Sequence, residues 1–374
     1  MKALTIAQAA AALVVAARLA RGRHRPAPLR PVRDIRGVSV VIPARNEEAR
    51  LAPCLRGVLA DPAAAEVIVV DDSSTDGTAA LAARLGARVV PAGPLPPGWV
   101  GKQWALRQGV SAAAHPVVVT LDADTRPAPG LVGAMAAALS HHDLVTAAPR
   151  FDCGSPAEQA LHASMLATLV YRFGPSSTRV VPPAHRTIAN GQCTAFHRDR
   201  MLAADGFAAV KESMTDDVAL ARHLAATGWR VAFLDASDLL AVDMHDSVTE
   251  VWREWGRSLP LADVTTPGWQ AADLAVVWLT MGLPSLRLLL GRPTPLDLGL
   301  LVPRWLLTAA FRRSYATPGP GLALSPLLDV ASAVRLTQAT VRPARTWRGR
   351  TYPAAGLSPG RRGLPARSAT RSGT

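Results

Sequence analysis

Carboxylates stand in pairs at the ends of apolar runs, and that spacing limits the chemistry this chain can do. Glu66-Val-Ile-Val-Val-Asp71-Asp72 leads from a strand-like stretch into two adjacent acids, then into the turn-forming residues 73–78. Carboxylates at such a strand end accept hydrogen bonds from a nucleobase N–H or from ribose hydroxyls. Val117-Val-Val-Thr-Leu-Asp122-Ala-Asp124 puts acids at i and i+2, on one side of an extended segment. Two hard oxygen donors so placed suit a divalent cation, Mg2+ or Mn2+, that in turn bridges diphosphate oxygens. Asp216 and Asp217 open a helical pattern that Gly228 closes. Their plain explanation is attraction to the helix dipole. The sharper one is a general base that takes the proton of an attacking hydroxyl. Neither G-x-G-x-x-G nor G-x-x-x-x-G-K-[ST] occurs, so these acids do not accompany a glycine-rich phosphate loop.

Such residues need a frame. Short β-branched runs at 38–42, 66–70, 87–90 and 116–121 alternate with helix-period stretches at 47–60 and 78–87. The alternation predicts an α/β domain over residues 38–260, a mostly parallel sheet flanked by crossover helices, with Gly86 stopping the second helix. The first strand breaks at Pro43 into the polar turn Ala44-Arg45-Asn46-Glu47. Strand ends of open parallel sheets are where ligands sit.

The ends of the chain have another texture. Residues 3–17 are almost wholly apolar and an arginine cluster follows them. A signal peptide carries its charge first, so residues 1–20 predict a short membrane anchor whose C-terminal end faces the cytoplasm. An Ala-rich helix lying on the surface is the alternative. Residues 21–37 form a basic linker. Apolar stretches at 271–290 and 296–311 each hold one Arg (Arg287, Arg304) and one Pro (Pro284, Pro303). They predict membrane-associated helices within 270–341, as weak spans or as an interfacial hairpin. Residues 325–341 predict an amphipathic helix at the interface. The Gly-, Pro- and Arg-rich tail within 342–374 predicts disorder.

Charge supports this division. The 374 residues carry 41 Lys+Arg and 28 Asp+Glu, a net charge of +13. Residues 1–36 hold +7 and residues 342–374 hold +8, which leaves the intervening 305 residues at −2. A basic nucleic-acid-binding face spread over the fold is thereby disfavoured. Three scattered cysteines (Cys54, Cys153, Cys193) have neither metal-site spacing nor a disulfide framework's even count.

The order IPARNEE, VVDDSSTDGT, LDADT, NGQ (190–192), TDD and a later Trp/Arg segment resembles family 2 glycosyltransferases of the GT-A fold. Within them, PLPPGWVGKQWALRQG (94–109) and TWRGRTY (346–352) resemble the membrane-bound enzymes acting on carotenoid and hopanoid lipids, of the chlorobactene, diaponeurosporenoate and hopene-associated types. The resemblance covers residues 38–260 well and the membrane part only in texture. It implies that Pro43, Arg45 and Glu47 lie beside the nucleotide, that Asp71 or Asp72 recognises the base, and that Lys102 lies near the donor. Asp122 would approach the ribose and Asp124 hold the metal ion, with Asp122 and His245 as further ligands; a satisfied loop histidine is the other reading of His245. Asn190, Gly191 and Gln192 would form the acceptor-side loop, joined by Trp255. Asp217 falls where the family places its catalytic base, and the Asp216-Asp217 pair stands for the usual Glu-Asp. Arg257, in Trp252-Arg-Glu-Trp-Gly-Arg257, would cover the diphosphate; the segment departs from the Gln-x-x-Arg-Trp of processive synthases.

The resulting expectation is an inverting hexosyltransferase with a UDP- or GDP-sugar donor and a divalent cation. Its acceptor would be a lipid at the cytoplasmic face of the cell membrane. A sugar-phosphate nucleotidyltransferase would need a Gly-rich, Lys/Arg-bearing loop near the N-terminus, where IPARNEE stands instead. A catalytically silent membrane scaffold is the remaining alternative.

Overall fold

Valine- and isoleucine-rich runs that end in glycine or polar turns become strands. The computed structural model describes residues 2–243, 245, 247–343, 346–347 and 350–352. The four expected runs form β1 (Val38–Ala44), β2 (Ala64–Asp71), β3 (Arg88–Pro91) and β4 (Val117–Leu121), mutually parallel. β1 is buried at every position, as a central parallel strand covered on both faces should be. Two further strands join parallel to each other, β6 (Leu144–Ala148) and β9 (Val231–Asp235), and β8 (Cys193–His197) runs antiparallel between β4 and β6. The sheet order is β3-β2-β1-β4-β8-β6-β9. A small second sheet pairs β10 (Leu240–Val242) with β5 (Thr125–Pro127) and β7 (Arg150–Phe151).

Helices cover both faces and set the depth of the strand ends. Leu51–Leu59 and Leu131–Ala138 bury Leu51, Leu55, Val58 and Met135 on one side; Gly101–Ala112 and Asp216–Ala226 bury Leu106, Val110 and Leu224 on the other. Gly109 allows the closest approach, because a Cβ there would stand 2.4 Å from Val41 and 2.7 Å from Val70. Helix ends follow the sequence closely: Gly86 (φ 97°) and Gly228 (φ 90°) both take the left-handed turn that ends a helix.

The basic linker, residues 21–37, is tied to the domain by backbone hydrogen bonds. After a helical turn at Arg21–His24, Leu29 N–H donates to Asp235 O (2.7 Å) and Val32 N–H to Gly130 O (3.1 Å), binding the segment to the sheet's helical layer. Prolines 26, 28 and 31 favour the extended course that makes this possible.

A helical layer closes the other end. Lys2–Ala20, Pro156–Phe173, Pro267–Leu289, Pro295–Ala310 and Asp329–Val341 share a core containing Val15, Met165, Tyr171, Val277, Met281 and Leu336. The charges that weaken the apolar stretches as spans turn inward. Arg304 is 1% exposed and pairs with Asp329 at 2.8 Å, while Asp297 accepts from Gln8 (2.7 Å) and Arg287 (3.2 Å). Leu13, Leu289, Leu290, Val302 and Leu306 remain outside. Lys2–His24 and Pro267–Leu289 are long and apolar enough to cross a bilayer. The helix Asp329–Val341 buries Ser332, Ala333, Leu336 and Ala339 against its neighbours. Separately, Thr346–Trp347 pairs antiparallel with Arg350–Thr351. The tail from residue 353 lies outside the described residues.

Candidate active site

The acids lie at the carboxyl ends of the central strands because the apolar runs before them are buried and the polar residues after them cannot be. Two loops there are stitched together. Arg45 Nη1 donates to Asp72 O (2.6 Å) and Ser73 O (3.2 Å), and Asn46 accepts from Thr75 N–H at 2.8 Å. Glu48 accepts from Gly77 N–H at 2.7 Å, and Glu47 N–H donates to Thr78 Oγ1 at 2.9 Å. Asp72 is buried, and its N–H donates to Ala44 O (2.9 Å), just beyond Pro43. The half-buried Asp71 carboxylate accepts from Ser74 N–H at 3.3 Å. Pro43, Arg45, Glu47, Asp71 and Asp72 thus form one cradle of two loops.

A second group forms where β4 meets β8. Asp122 N–H donates to Gln192 O (3.0 Å), drawing the Asn190–Gln192 turn onto the Asp122-Ala-Asp124 loop. The turn closes on itself through Gln192 N–H to Asn190 Oδ1 (2.8 Å) and Asn190 Nδ2 to Gln192 Oε1 (3.0 Å). Gly191 N–H donates to Asp217 Oδ2 at 3.0 Å. A Cβ on Gly191 would lie 3.1 Å from the Asp217 Cβ and 3.4 Å from Lys102 Nζ, so the close approach needs glycine. Lys102, carried by the first turn of Gly101–Ala112, reaches Asp122 at 2.8 Å and Asp216 at 3.7 Å. Four segments far apart in sequence meet here.

Electrostatics sets Asp217 apart. Burial first, and the Asp216 charge second, push its carboxyl up to about 7, against the pull of Lys102 and of the Val218 and Gly191 N–H groups. The cause is visible in a small cavity beside it, walled by Leu106, Phe196, Phe207, Val210 and Leu220. Burial opposes the Lys102 charge, but Asp122 and Asp216 outweigh it and hold the ammonium above its ordinary value. A carboxylate whose proton affinity lies near neutrality suits a base.

Two supporting residues carry no local sequence signal. Asp263 lies 46 positions after Asp217, yet it accepts from Ser213 Oγ (2.6 Å), Met214 N–H (2.8 Å) and Thr215 Oγ1 (2.5 Å), fixing the turn that presents the acids. Cys54 contacts Thr125 Oγ1 at 3.3 Å and the Asp122 carbonyl at 3.6 Å from below. Burial pushes its thiol up to about 12, so it packs rather than reacts.

The remaining sequence candidates lie in the helical layer. Trp255, in a π-helical turn Val251–Trp255, stacks on His162 with centroids 3.7 Å apart; Arg257 pairs with Glu254 at 3.5 Å. His245 is buried within electrostatic reach of His162. Among the described residues no three His, Cys, Asp or Glu side chains gather into a metal cluster. The hard carboxylate of Asp124 on a strand-end loop suits a divalent cation. Asp122 spends its own oxygens on Lys102.

Residues 39–201 match the family described as Glycosyl transferase family 2. A 4,4'-diaponeurosporenoate glycosyltransferase of Staphylococcus haemolyticus is 39% identical over 89 residues, 23% of this chain and 24% of that protein. Its counterpart in Staphylococcus aureus is 39% identical over 90 residues, 24% of each chain. The match therefore spans about a quarter of the length of these curated relatives. Among solved structures, the mannosyltransferase PcManGT from Pyrobaculum calidifontis, in complex with GDP-Man and Mn2+, has a TM-score of 0.54. That likeness covers 91% of this chain and 97% of that one at 19% identity, and it is one of fold. Residues 39–201 are thus similar to family 2 glycosyltransferases, and the fold is of the GT-A type.

Proposed function

We propose that this protein moves a sugar from a nucleotide-diphosphate donor, with inversion, to a hydroxyl or carboxyl of an isoprenoid-type lipid at the cytoplasmic face of the cell membrane. The observation that carries the proposal is Asp217, held by the Gly191 N–H at 3.0 Å and tuned to about 7 beside Lys102. In the proposed reaction an acceptor hydroxyl attacks the anomeric carbon while Asp217 takes its proton, whereas a carboxyl acceptor attacks already ionised, and the nucleoside diphosphate departs from the opposite face. The cradle of Arg45, Glu47, Asp71 and Asp72 would hold the nucleoside. Lys102 and Asp122 would meet the ribose side and Arg257 the diphosphate. Asn190, Gly191, Gln192 and Trp255 would line the acceptor side, and Asp216 would support the base.

A divalent cation is implied by relatives of this fold, one of them complexed with Mn2+. Asp124 would hold it; of the other two candidates, Asp122 is engaged by Lys102 and His245 lies beside His162. When bound, such an ion neutralises charge on the departing diphosphate.

A lipid acceptor is favoured by the names of the carotenoid-acting relatives and by two helices of spanning length beside an outward-facing apolar surface. The test is a comparison of lipid extracts from cells with and without the protein. A new lipid heavier by one hexose is expected. Consumption of nucleotide-sugar with no glycosylated lipid would reject the acceptor assignment.

A further inference from the structure

Four guanidinium groups converge where the helix Pro156–Phe173 ends. Arg172 is 2% exposed and donates to Thr168 O (3.2 Å) and Leu259 O (2.6 Å). Arg186 clasps Asp273 through two bonds of 2.9 Å and donates to Arg172 O at 2.6 Å. Arg222 donates to Thr187 O (3.0 Å), to Val264 O and to Thr265 Oγ1 (3.2 Å), and Arg18 donates to Tyr171 O at 2.8 Å. The guanidinium carbons of Arg172, Arg186 and Arg222 lie 5.1, 4.2 and 5.9 Å from the centre of the Phe173 ring.

Negative charge does not balance them. Asp273 is the only carboxylate paired with these four among the described residues, and Arg186 takes both its oxygens. Asp263, within reach of Arg222, is spent on Ser213, Met214 and Thr215. Burial pushes Arg172 and Arg222 down to about 10, with repulsion from the neighbouring arginines adding to it and the pull of Asp273 falling short of cancelling it. Arg222 is 7% exposed, yet its Nη2 is buried with no hydrogen-bond partner among the described residues. Buried charges ordinarily occur paired, so a surplus of cations with an unused donor points to a missing anion.

We propose that this arginine cluster is a binding site for a phosphate-type oxyanion, with Arg222 Nη2 as a direct donor. A forked guanidinium matches phosphate oxygens better than a point charge does. Trp269, 41% exposed and 4.8 Å from the Arg186 guanidinium, marks the entrance. Exposed Arg21 and Arg23 continue the positive charge where the apolar helix Lys2–Ala20 ends, the depth at which a phospholipid headgroup would lie. The phosphate is either that of an anionic lipid head or a free one. Through Thr187 the same arginine grips the start of the loop that ends in Asn190–Gln192, so the site borders the acceptor side without sharing its residues.

The test uses the full chain in detergent and follows thermal unfolding while inorganic phosphate replaces chloride at constant ionic strength. Wild type should gain stability saturably, and Arg222→Gln should need at least tenfold more phosphate. The shift should persist in Arg257→Met, which separates this site from the donor diphosphate; because no sugar transfer is read, failure here and failure of the proposed reaction are distinguishable. Vesicles of phosphatidylcholine with and without phosphatidylglycerol identify the source. Phosphate-sensitive binding that requires phosphatidylglycerol assigns the lipid head, and phosphate stabilisation without it assigns the free ion. Equal shifts in chloride and phosphate, or an unchanged phosphate requirement in Arg222→Gln, would overturn the proposal. Should that variant not fold, Arg222→Lys must still weaken the phosphate effect, and no weakening overturns it equally.

Discussion

Around Lys102 one ammonium faces three carboxylates, whereas around Asp273 one carboxylate faces four guanidinium groups. Both groups draw on the helix Asp216–Ala226, whose first turn supplies Asp216 and Asp217 and whose second supplies Arg222. The lesson lies in the sign of each surplus. Excess negative charge in a half-buried site raises a carboxylate's proton affinity and so makes a base. Excess positive charge with no titratable partner near neutrality cannot relax by shedding protons, and it invites an anion instead.

The comparison is most strongly broken by Asp273→Asn. Removing the one carboxylate that Arg186 clasps leaves the buried Arg172 and Arg222 and the half-buried Arg18 and Arg186 unbalanced, and a loss of about 3–5 kcal/mol is expected in denaturant unfolding. Added phosphate should restore part of it. A loss below ~1 kcal/mol would mean that the cluster is more open to water than its burial indicates.

Lys102→Met tests the acidic side with a smaller effect. The ammonium lowers the proton affinity of Asp217, so its removal should carry that affinity above about 7. A base must be ionised to act; the acid limb of kcat/KM should therefore move up by about one pH unit, roughly a fivefold loss at pH 7. An unmoved limb would detach Lys102 from the base. The sign for stability is opposite to that for activity. The folded chain holds the Asp217 proton more tightly than the unfolded chain, so this group favours folding at low pH, and the benefit fades as pH rises through about 7.

Much of the catalytic half was legible in the residues. Strands β1 to β4 are β-branched and end in proline, polar turns or acids, so period and punctuation located them; the acids at 71–72 and 122–124 followed from their ends, and those at 216–217 from the start of a helical pattern. β8 and β9 were not located, because Cys193–His197 and Val231–Asp235 each hold a single β-branched residue and owe their strand state to neighbours in the sheet. The pairing of Lys102 with Asp122 and Asp216 and the capping of Thr215 by Asp263 are tertiary facts with no local pattern. The same holds for the apolar helices. Arg304 and Arg287 interrupt the apolar stretches in sequence, yet Asp329 and Asp297 stand opposite them on other turns of the same layer.

The central claim is that Asp217 accepts the proton of the attacking acceptor. Donor binding and sugar transfer measured side by side for wild type and Asp217→Asn test it most directly, since the amide keeps the shape and loses the basicity. Transfer should fall by about 10³-fold or more, with donor affinity within about twofold of wild type. Near-normal turnover in Asp217→Asn would contradict the assignment and move the base elsewhere.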